Sequence, residues 1–321
     1  MAAPSVLVIT RDIDVTADLV VRELTRREVA VARLDLADFP QRLTQTCHLA
    51  PGRSRWTGAV RGHQRNVDLS AVRAVWYRKP SPFTVTGLSQ TEEQWATAEA
   101  RMGFGGLLTA LDARWVNDPA RLAVANQKPY QMAVAAGCGL VVPESLLTND
   151  PEQARDFCRS HPEGVIYKPL YGGPGSENGH RVALRADTVT ADEITDGVRR
   201  TSHLFQVRVP CAYAVRLTIV GRRLFAARID TPAGVSAVDW RAVHDHLTYT
   251  RVDVPDTVAA GLRAVMDRLG LVYAAPDFVV DHQGAWHFIG DLNPNGQWAW
   301  ITPLRADITA ALADELTKDQ Q

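Results

Sequence analysis

Residues 5–34 read as strand, helix, strand, and that order commits the N-terminus to one class of fold. Within residues 5–10 the unbroken apolar run Val6 to Ile9 suits a strand covered on both faces in a parallel sheet. Residues 14–27 then place Val15, Leu19, Val20 and Leu24 at helical spacing, and residues 29–34 return as a second strand. A crossover this short is right-handed and belongs to an open α/β sheet. No G-x-G-x-x-G follows the first strand, which argues against a dinucleotide site there. Short antiparallel strands are expected over residues 45–70, around Pro51-Gly52 and Arg61-Gly62. Residues 71–77 supply another buried strand, ending in Arg78-Lys79-Pro80. Residues 91–111 predict a long helix with Trp95, Ala98, Met102, Leu108 and Leu111 on its apolar stripe.

The chain has 321 residues, too many for one simple core, so two or three lobes are expected. Thirty-five Lys and Arg against 36 Asp and Glu leave no excess of positive charge for nucleic acid or an anionic membrane surface. Cys47, Cys138, Cys158 and Cys211 are far apart and form no C-x-x-C pair, as suits reduced thiols. The first apolar run is too short for a signal peptide, and none approaches membrane-spanning length. A soluble, cytoplasmic protein is expected.

A second unit opens at Asp118-Pro119, an N-cap followed by a first-turn proline. Its helix breaks at Pro129 and resumes to Gly137, read as the C′ glycine. A short strand is expected at 141–143, a helix from Asp150-Pro151 to about residue 160, and a strand at 165–169. A glycine-rich stretch follows, then a strand at 181–184, a helix at 191–201 and a strand at 204–209. The remainder is sheet-rich: strands at 213–220 and 223–229, a helix at 255–269, a hairpin turning at Gln283-Gly284, and a terminal helix at 307–316. The divisions implied are residues 1–115, 116–205 and 206–321.

Several positions carry chemistry. Asp277 heads the apolar strand Asp277-Phe278-Val279-Val280, and Asp291-Leu292-Asn293 follows the hairpin's second strand. On a strand, Asp291 and Asn293 would share a face, and three oxygen donors on one face suit Mg²⁺ beside phosphate. A polar loop after a buried strand would explain the same residues. Lys168 ends a β-branched strand directly before Gly172, Gly173, Gly175, Ser176 and Gly179, where close backbone approach could cradle phosphate under a lid. No GK[ST] follows, so this is not a Walker A loop, and a flexible turn beside a surface lysine stays open. Lys128, just before Pro129, is the second basic candidate, against an ordinary solvated helix lysine. The segment containing Gln206 and Val209 could offer backbone groups to an adenine edge, or be an ordinary strand. Arg216 is a lone cation in an apolar strand and needs an anionic partner or ligand. Arg228, Asp230 and Asp239-Trp240-Arg241 add charge to the same unit, with internal ion pairs as the alternative. His244 and His246 lack the further ligands that zinc needs, and no nucleophile elbow is present.

The order Lys128, Lys168 with its glycines, a linking strand, Arg216, Asp277 and Asp291-x-Asn293 resembles the ATP-grasp ligases. A narrower resemblance, to the ATP-grasp ribosomal peptide maturases (the graspetide and microviridin macrocyclases), spans nearly the whole chain. It rests on Val8-Ile9-Thr10, residues 16–20, Arg33-Leu34-Asp35, Asp38-Phe39-Pro40, Val75-Trp76-Tyr77-Arg78, Asn126-Gln127-Lys128, Asp239-Trp240-Arg241 and Asn293-Pro294-Asn295-Gly296-Gln297-Trp298. The resemblance implies a mixed α/β and α+β architecture: an N-terminal open α/β (pre-ATP-grasp) domain and two α+β lobes clasping ATP. It implies Lys128 and Lys168 on the nucleotide, Gly172, Gly173, Gly175, Ser176 and Gly179 in the lid, and Gln206 and Val209 flanking adenine. It further implies Arg216, Lys168 and Arg241 as catalytic cations, with Asp277, Asp291 and Asn293 on Mg²⁺. Arg78, a strand-end cation beside the expected cleft, is the candidate for a substrate carboxylate.

The implied reaction activates a side-chain carboxylate of a ribosomal precursor peptide (leader plus core) as an acyl phosphate. A hydroxyl or amine of the same peptide then closes the ring. A ligase for an amino acid or small peptide, or an ATP-binding protein without turnover, is the alternative; a homodimer stays open. Two departures stand out: Asp291 replaces the family's usual glutamate, and residues 205–216 contain no carboxylate for the ribose hydroxyls.

Overall fold

The computed structural model describes residues 5–62, 66–171, 175–177, 180–182, 185–230 and 247–318. The N-terminal crossover forms as the apolar pattern requires. Strands Val31–Leu34, Val6–Ile9, Ala74–Tyr77 and Arg114–Val116 lie side by side in that order, all parallel. Asp14 starts the helix Val15–Arg26 by accepting from the backbone N–H groups of Thr16 and Ala17, and the helix buries Ala17, Val20 and Leu24. A three-stranded antiparallel sheet, Leu43–His48, Thr57–Gly62 and Asn66–Asp68, packs beside it.

The long helix is present at Gln90–Thr109 with a Ser89–Glu92 capping box, but its inner face differs from the expected one. Of the expected stripe Leu108 is buried but Trp95 and Met102 are 66% and 75% exposed, and Ala100, Phe104 and Leu107 are buried beside Leu108 instead. Phe104 packs against Phe39 and Phe83, with ring centroids 5.0 and 6.1 Å away. Apolar residues occupy two sides of this helix, and partners remote in sequence decide which side turns inward.

In the middle of the chain, strands Asp187–Val189, Val165–Lys168, His203–Val207 and Ser145–Thr148 form one antiparallel sheet. The helix Pro151–Ser160, capped by Asp150, packs on it through Ala154 against Val165, Ile194, Val198 and Phe205. The strand expected at 141–143 reduces to a single bridge from Val141 to His287, and the paired strand lies beyond Pro143. Residues 191–201 form two 3₁₀ turns, Ala191–Glu193 and Asp196–Arg200, rather than one helix. Gly137 is the last residue of its helix; the left-handed position is Gly139, with φ +83°.

The C-terminal sheet runs Thr248–Val252, Arg223–Asp230, Tyr213–Val220, Asp277–Val280 and Trp286–Phe288, with Tyr273–Ala274 also on the third strand. Helix Asp256–Leu269 covers one face through Leu262, Val265 and Met266. Helix Arg305–Thr317 places Ile308, Ala311, Leu312 and Leu316 in one core with Val6, Val8, Val20 and Trp76 of the N-terminal sheet. The chain end therefore bonds the first and last units together. Gly270 ends helix Asp256–Leu269 in the left-handed region (φ 61°, ψ 39°), and a Cβ there would collide with the Arg121 guanidinium. Gly270→Ala is expected to lower stability by about 1–2 kcal/mol, read as a shifted denaturation midpoint at unchanged slope. Among the described residues, no helix is long and apolar enough to cross a membrane.

Candidate functional site

The site grows from one register. Strands Tyr213–Val220 and Asp277–Val280 run antiparallel with Arg216 opposite Asp277. Directly opposed residues project to one face, so the lone cation of the first strand meets the leading acid of the second. Arg216 Nε lies 2.8 Å from Asp277 Oδ1, and both side chains are buried. Arg216 Nη1 also donates to the Ala275 carbonyl at 3.2 Å.

Asp291 and Asn293 reach this pair by a different route from the one expected. They are not on a strand. The chain leaves Trp286–Phe288 through Gly290 (φ +79°), and Asn293 itself sits at φ 48°. This loop folds back, so that Asp277 N donates to the Asp291 carbonyl at 3.0 Å. Asn293 Nδ2 donates to Asp277 Oδ2 at 3.1 Å and to the Ala275 and Asp291 carbonyls, each at 3.2 Å. Asparagine tolerates the left-handed region better than most residues, which suits it to this turn.

Both lysines converge on the same loop. Lys128 opens helix Lys128–Gly137 and forms an ion pair with Asp291 Oδ1. Lys168 ends strand Val165–Lys168, places its Nζ 3.3 Å from Asp291 Oδ2 and donates to the Ile289 carbonyl. It is 5% exposed. Burial pushes its pKa below the ordinary lysine range, and Asp291 opposes that shift. Around the two carboxylates stand Lys128, Lys168 and Arg216, leaving one net positive charge. That balance favours a polyanion arriving with its own cation.

The donor set fits Mg²⁺. Asp277 and Asp291 supply two carboxylates tied together by one loop, with the Asn293 amide turned by its Nδ2 toward Asp277, and Mg²⁺ ordinarily takes one or two carboxylates and completes its shell with phosphate and water. Among the described residues, no cluster of three or more His, Cys, Asp or Glu competes as a transition-metal site.

Some contributors escape sequence reading. Gln131, one turn after Lys128 and 4% exposed, accepts from Leu292 N at 3.0 Å and donates to the Ala125 carbonyl, fixing the loop between Asp291 and Asn293. Asn117 donates to the carbonyls of Tyr273 (2.8 Å) and Pro294 (2.9 Å) and accepts from Val272 N (2.7 Å) and Tyr273 N (3.0 Å). Tyr273 OH donates to the Gly296 carbonyl at 2.7 Å. The only local hint is the concentration of polar residues in an apolar neighbourhood.

Other expected positions fall differently. Arg78 is 1% exposed; its Nη1 donates to the Asn295 carbonyl and its Nε lies 3.6 Å from Asp14. It joins the N-terminal sheet to the loop through Nη1, while its Nε and Nη2 are buried without a hydrogen-bond partner among the described residues. Gln206 lies mid-sheet, paired with Ser145 on one side and Ile166 on the other, and its amide donates to Ser145 Oγ. Both edges of its backbone are occupied, which leaves the stretch beyond strand His203–Val207, where Val209 lies, as the linking segment. Gly175 and Ser176 belong to the short strand Gly175–Glu177, paired with His180–Val182. Gly172, Gly173, Gly179 and Arg241 lie outside the described residues, as do Asp239, Trp240, His244 and His246.

Residues 5–123 match the family model of the MvdD pre-ATP grasp domain. No curated protein sequence matches the chain. Among solved structures, the macrocyclase MdnC bound with precursor peptide MdnA, from Microcystis aeruginosa MRC, is 25% identical with a TM-score of 0.85, over 97% of this chain and 98% of that one. The Chryseobacterium gregarium RiPP-associated ATP-grasp ligase, in complex with ADP and a leader and core peptide, is 23% identical with a TM-score of 0.89, over 99% and 98%. The ATP-grasp ligase PsnB, complexed with a phosphomimetic variant of minimal precursor, Mg and ADP, is 22% identical with a TM-score of 0.75, over 98% of each chain. The fold is that of the ATP-grasp ligases, with a pre-ATP-grasp domain at its N-terminus.

Proposed function

We propose that this ATP-grasp chain is a ligase that closes macrocycles in a ribosomally made precursor peptide. ATP activates an Asp or Glu side chain as an acyl phosphate, and a hydroxyl or amine of the same peptide displaces phosphate. The observation that carries the reading is the meeting of Lys128 and Lys168, from separate elements, on Asp291 beside the Arg216–Asp277–Asn293 cluster. Full-length similarity to peptide-bound ligases supports the substrate class. The working units are residues 1–115, 116–205 with the lid, and 206–321 with the metal loop. Four free cysteines agree with a reducing, cytoplasmic setting.

The residues act by position and charge. Such a transfer asks little covalent chemistry of the protein and much orientation. A triphosphate in the crevice competes with Asp291 for the ammonium groups of Lys128 and Lys168, and this frees the carboxylate. Mg²⁺, held by Asp277, Asp291 and Asn293, would supply neutralisation of the phosphate oxygens. A substrate carboxylate oxygen attacks the γ-phosphorus, the bond to the β-bridging oxygen breaks, and ADP leaves. Lys168 and Arg216 stabilise the charge on the transferring group. The lid strands Gly175–Glu177 and His180–Val182 exclude water that would hydrolyse the acyl phosphate. Attack by the acceptor forms the ester or amide, the acceptor loses its proton, and inorganic phosphate departs.

Mass spectrometry of an acidic, threonine-rich precursor incubated with the enzyme and ATP tests this. The expected product lacks one water per ring, and rings that open in mild base are esters. Unchanged peptide mass, with ADP release on free amino acids instead, would move the chain to the small-substrate ligases. The depressed pKa of Lys168 adds a pH prediction. Its charge is lost as pH rises through a value below the ordinary 10.5, so kcat/KM for ATP should decline on the alkaline side below pH 10.5. Lys168→Arg should move that decline to higher pH. An alkaline limb unmoved by this change would assign it to another group.

A further inference from the structure

Next to Trp300, over which Arg216 stands, lies a cavity of about 460 Å³ lined by Arg11, Ile13, Asp14, Gln297, Ala299 and Trp300 among others. The guanidinium of Arg216 stands 5.8 Å from the Trp300 ring centroid while its Nε holds Asp277, so Arg216 borders both places. Arg11 and Asp14 line the cavity; Lys79, bonded to Arg11 through the backbone, and Arg78, facing Asp14, adjoin that lining, and these charges do not cancel. Asp14 is its acid, and that carboxylate already caps the helix Val15–Arg26, accepts from Thr10 Oγ1 at 2.9 Å and faces Arg78. Arg78 takes a neutral carbonyl, Asn295, as its close acceptor. Lys79 accepts from Arg11 N through its carbonyl at 3.1 Å, and among the described residues neither Lys79 nor Arg11 has an ion pair. Arg11, Arg78 and Lys79 against Asp14 leave two positive charges in excess. The rim is apolar, with Ile13 83% and Val15 62% exposed beside the Trp300 ring.

We infer that this cavity receives an acidic side chain of the substrate peptide, held by Arg11 and Lys79, with the residues flanking that acid on Ile13, Val15 and Trp300. The inference rests on the ligase reading and names where the carboxylate waits before it meets the phosphoryl group. The helix N-terminus is not the receptor, because Asp14 already occupies its N–H groups. A neutral peptide finds apolar contact here but no partner for the cations; a carboxylate supplies both. The groups facing Lys79 are Arg78, Asp14, Arg11 and Arg216, and burial together with its cationic neighbours brings the Lys79 pKa to about 8. Lys79 therefore loses its charge, and its hold on an anion, as pH rises through that value.

The experiment uses full-length protein loaded with Mg·ADP and two capped tetrapeptides. One has a glutamate between two isoleucines and ends in threonine; the other replaces the glutamate with glutamine. Binding is followed at the Trp300 indole resonance, assigned through Trp300→Phe. The glutamate peptide is expected to bind at least about tenfold more tightly than the glutamine peptide. Arg11→Ala and Lys79→Met should each remove most of that preference. The preference should fade above pH 8 in the parent and persist there in Lys79→Arg. Equal affinity for both peptides, no shift with either, or a preference that survives both substitutions overturns the inference. So does a loss of Mg·ADP affinity in the variants that matches the loss of peptide affinity. Failure of the parent protein to bind Mg·ADP is separate: it removes the ligase reading, and this inference with it.

Discussion

Asp291→Ala is expected to lower ATP-dependent turnover by about three orders of magnitude, and Lys168→Met by a similar factor. Asp291 serves two purposes in the geometry. It offers one of two carboxylates to the metal, and it fixes the ammonium groups of Lys128 and Lys168 until a triphosphate takes them. Its removal also leaves Lys168 buried with no carboxylate at its head, a loss of about 3–5 kcal/mol for a broken buried pair. Asp291→Ala should therefore unfold more easily than the parent. The double variant Asp291→Ala/Lys168→Met should recover part of that stability while remaining inactive, since the buried charge at position 168 is gone, while Lys128 stays without Asp291 and the metal ligand is not restored. Non-additivity of this sign in chemical denaturation, alongside ADP release assays, checks the arrangement. Full turnover in both single variants would remove Asp291 and Lys168 from the chemistry.

Much of this was legible where local rules act alone. The parallel strands of the first unit declare themselves by unbroken apolar runs, and Asp118-Pro119 and Asp150-Pro151 start helices because capping is a local interaction. The pairing of Arg216 with Asp277 follows from a charge that cannot stay alone in an apolar strand. What stayed hidden depends on distant partners. The inner face of Gln90–Thr109 is chosen by Phe39 and Phe83, from segments well before it. Asp291 and Asn293 look like alternate strand positions, yet two left-handed residues turn them into a loop that closes on Asp277. Arg78 reads as a strand-end cation beside a cleft, and only the packed seam shows it buried, with Nη1 on the Asn295 carbonyl and Nε 3.6 Å from Asp14. Gln131 carries no motif at all; its role exists only because helix Lys128–Gly137 passes under Leu292.

The same seam predicts a large effect far from any reacting atom. Asn117→Ala is expected to destabilise the protein by about 3–4 kcal/mol, since it leaves buried donors and acceptors on two elements without partners. A shift in Tm of about 6–12 °C follows from the usual conversion for domains of this size. The site should feel the change as well. Asn117 holds the Pro294 carbonyl, the residue after Asn293, so loosening it frees the turn that brings Asn293 to Asp277. The half-saturating Mg²⁺ concentration should rise before kcat falls. Asn117→Asp sharpens the test because it nearly preserves shape. It retains an acceptor for Val272 N and Tyr273 N but turns a carboxylate oxygen toward the carbonyls of Tyr273 and Pro294. That environment disfavours the charged form and raises the folded-state pKa of the new carboxyl above its unfolded value of about 3.9. Its deficit relative to the parent should therefore be smallest in acid, where the carboxyl is neutral and can donate, and should grow as pH rises through the folded pKa. A deficit independent of pH, or an Asn117→Ala variant melting with the parent, would show that the seam is held by something other than this side chain.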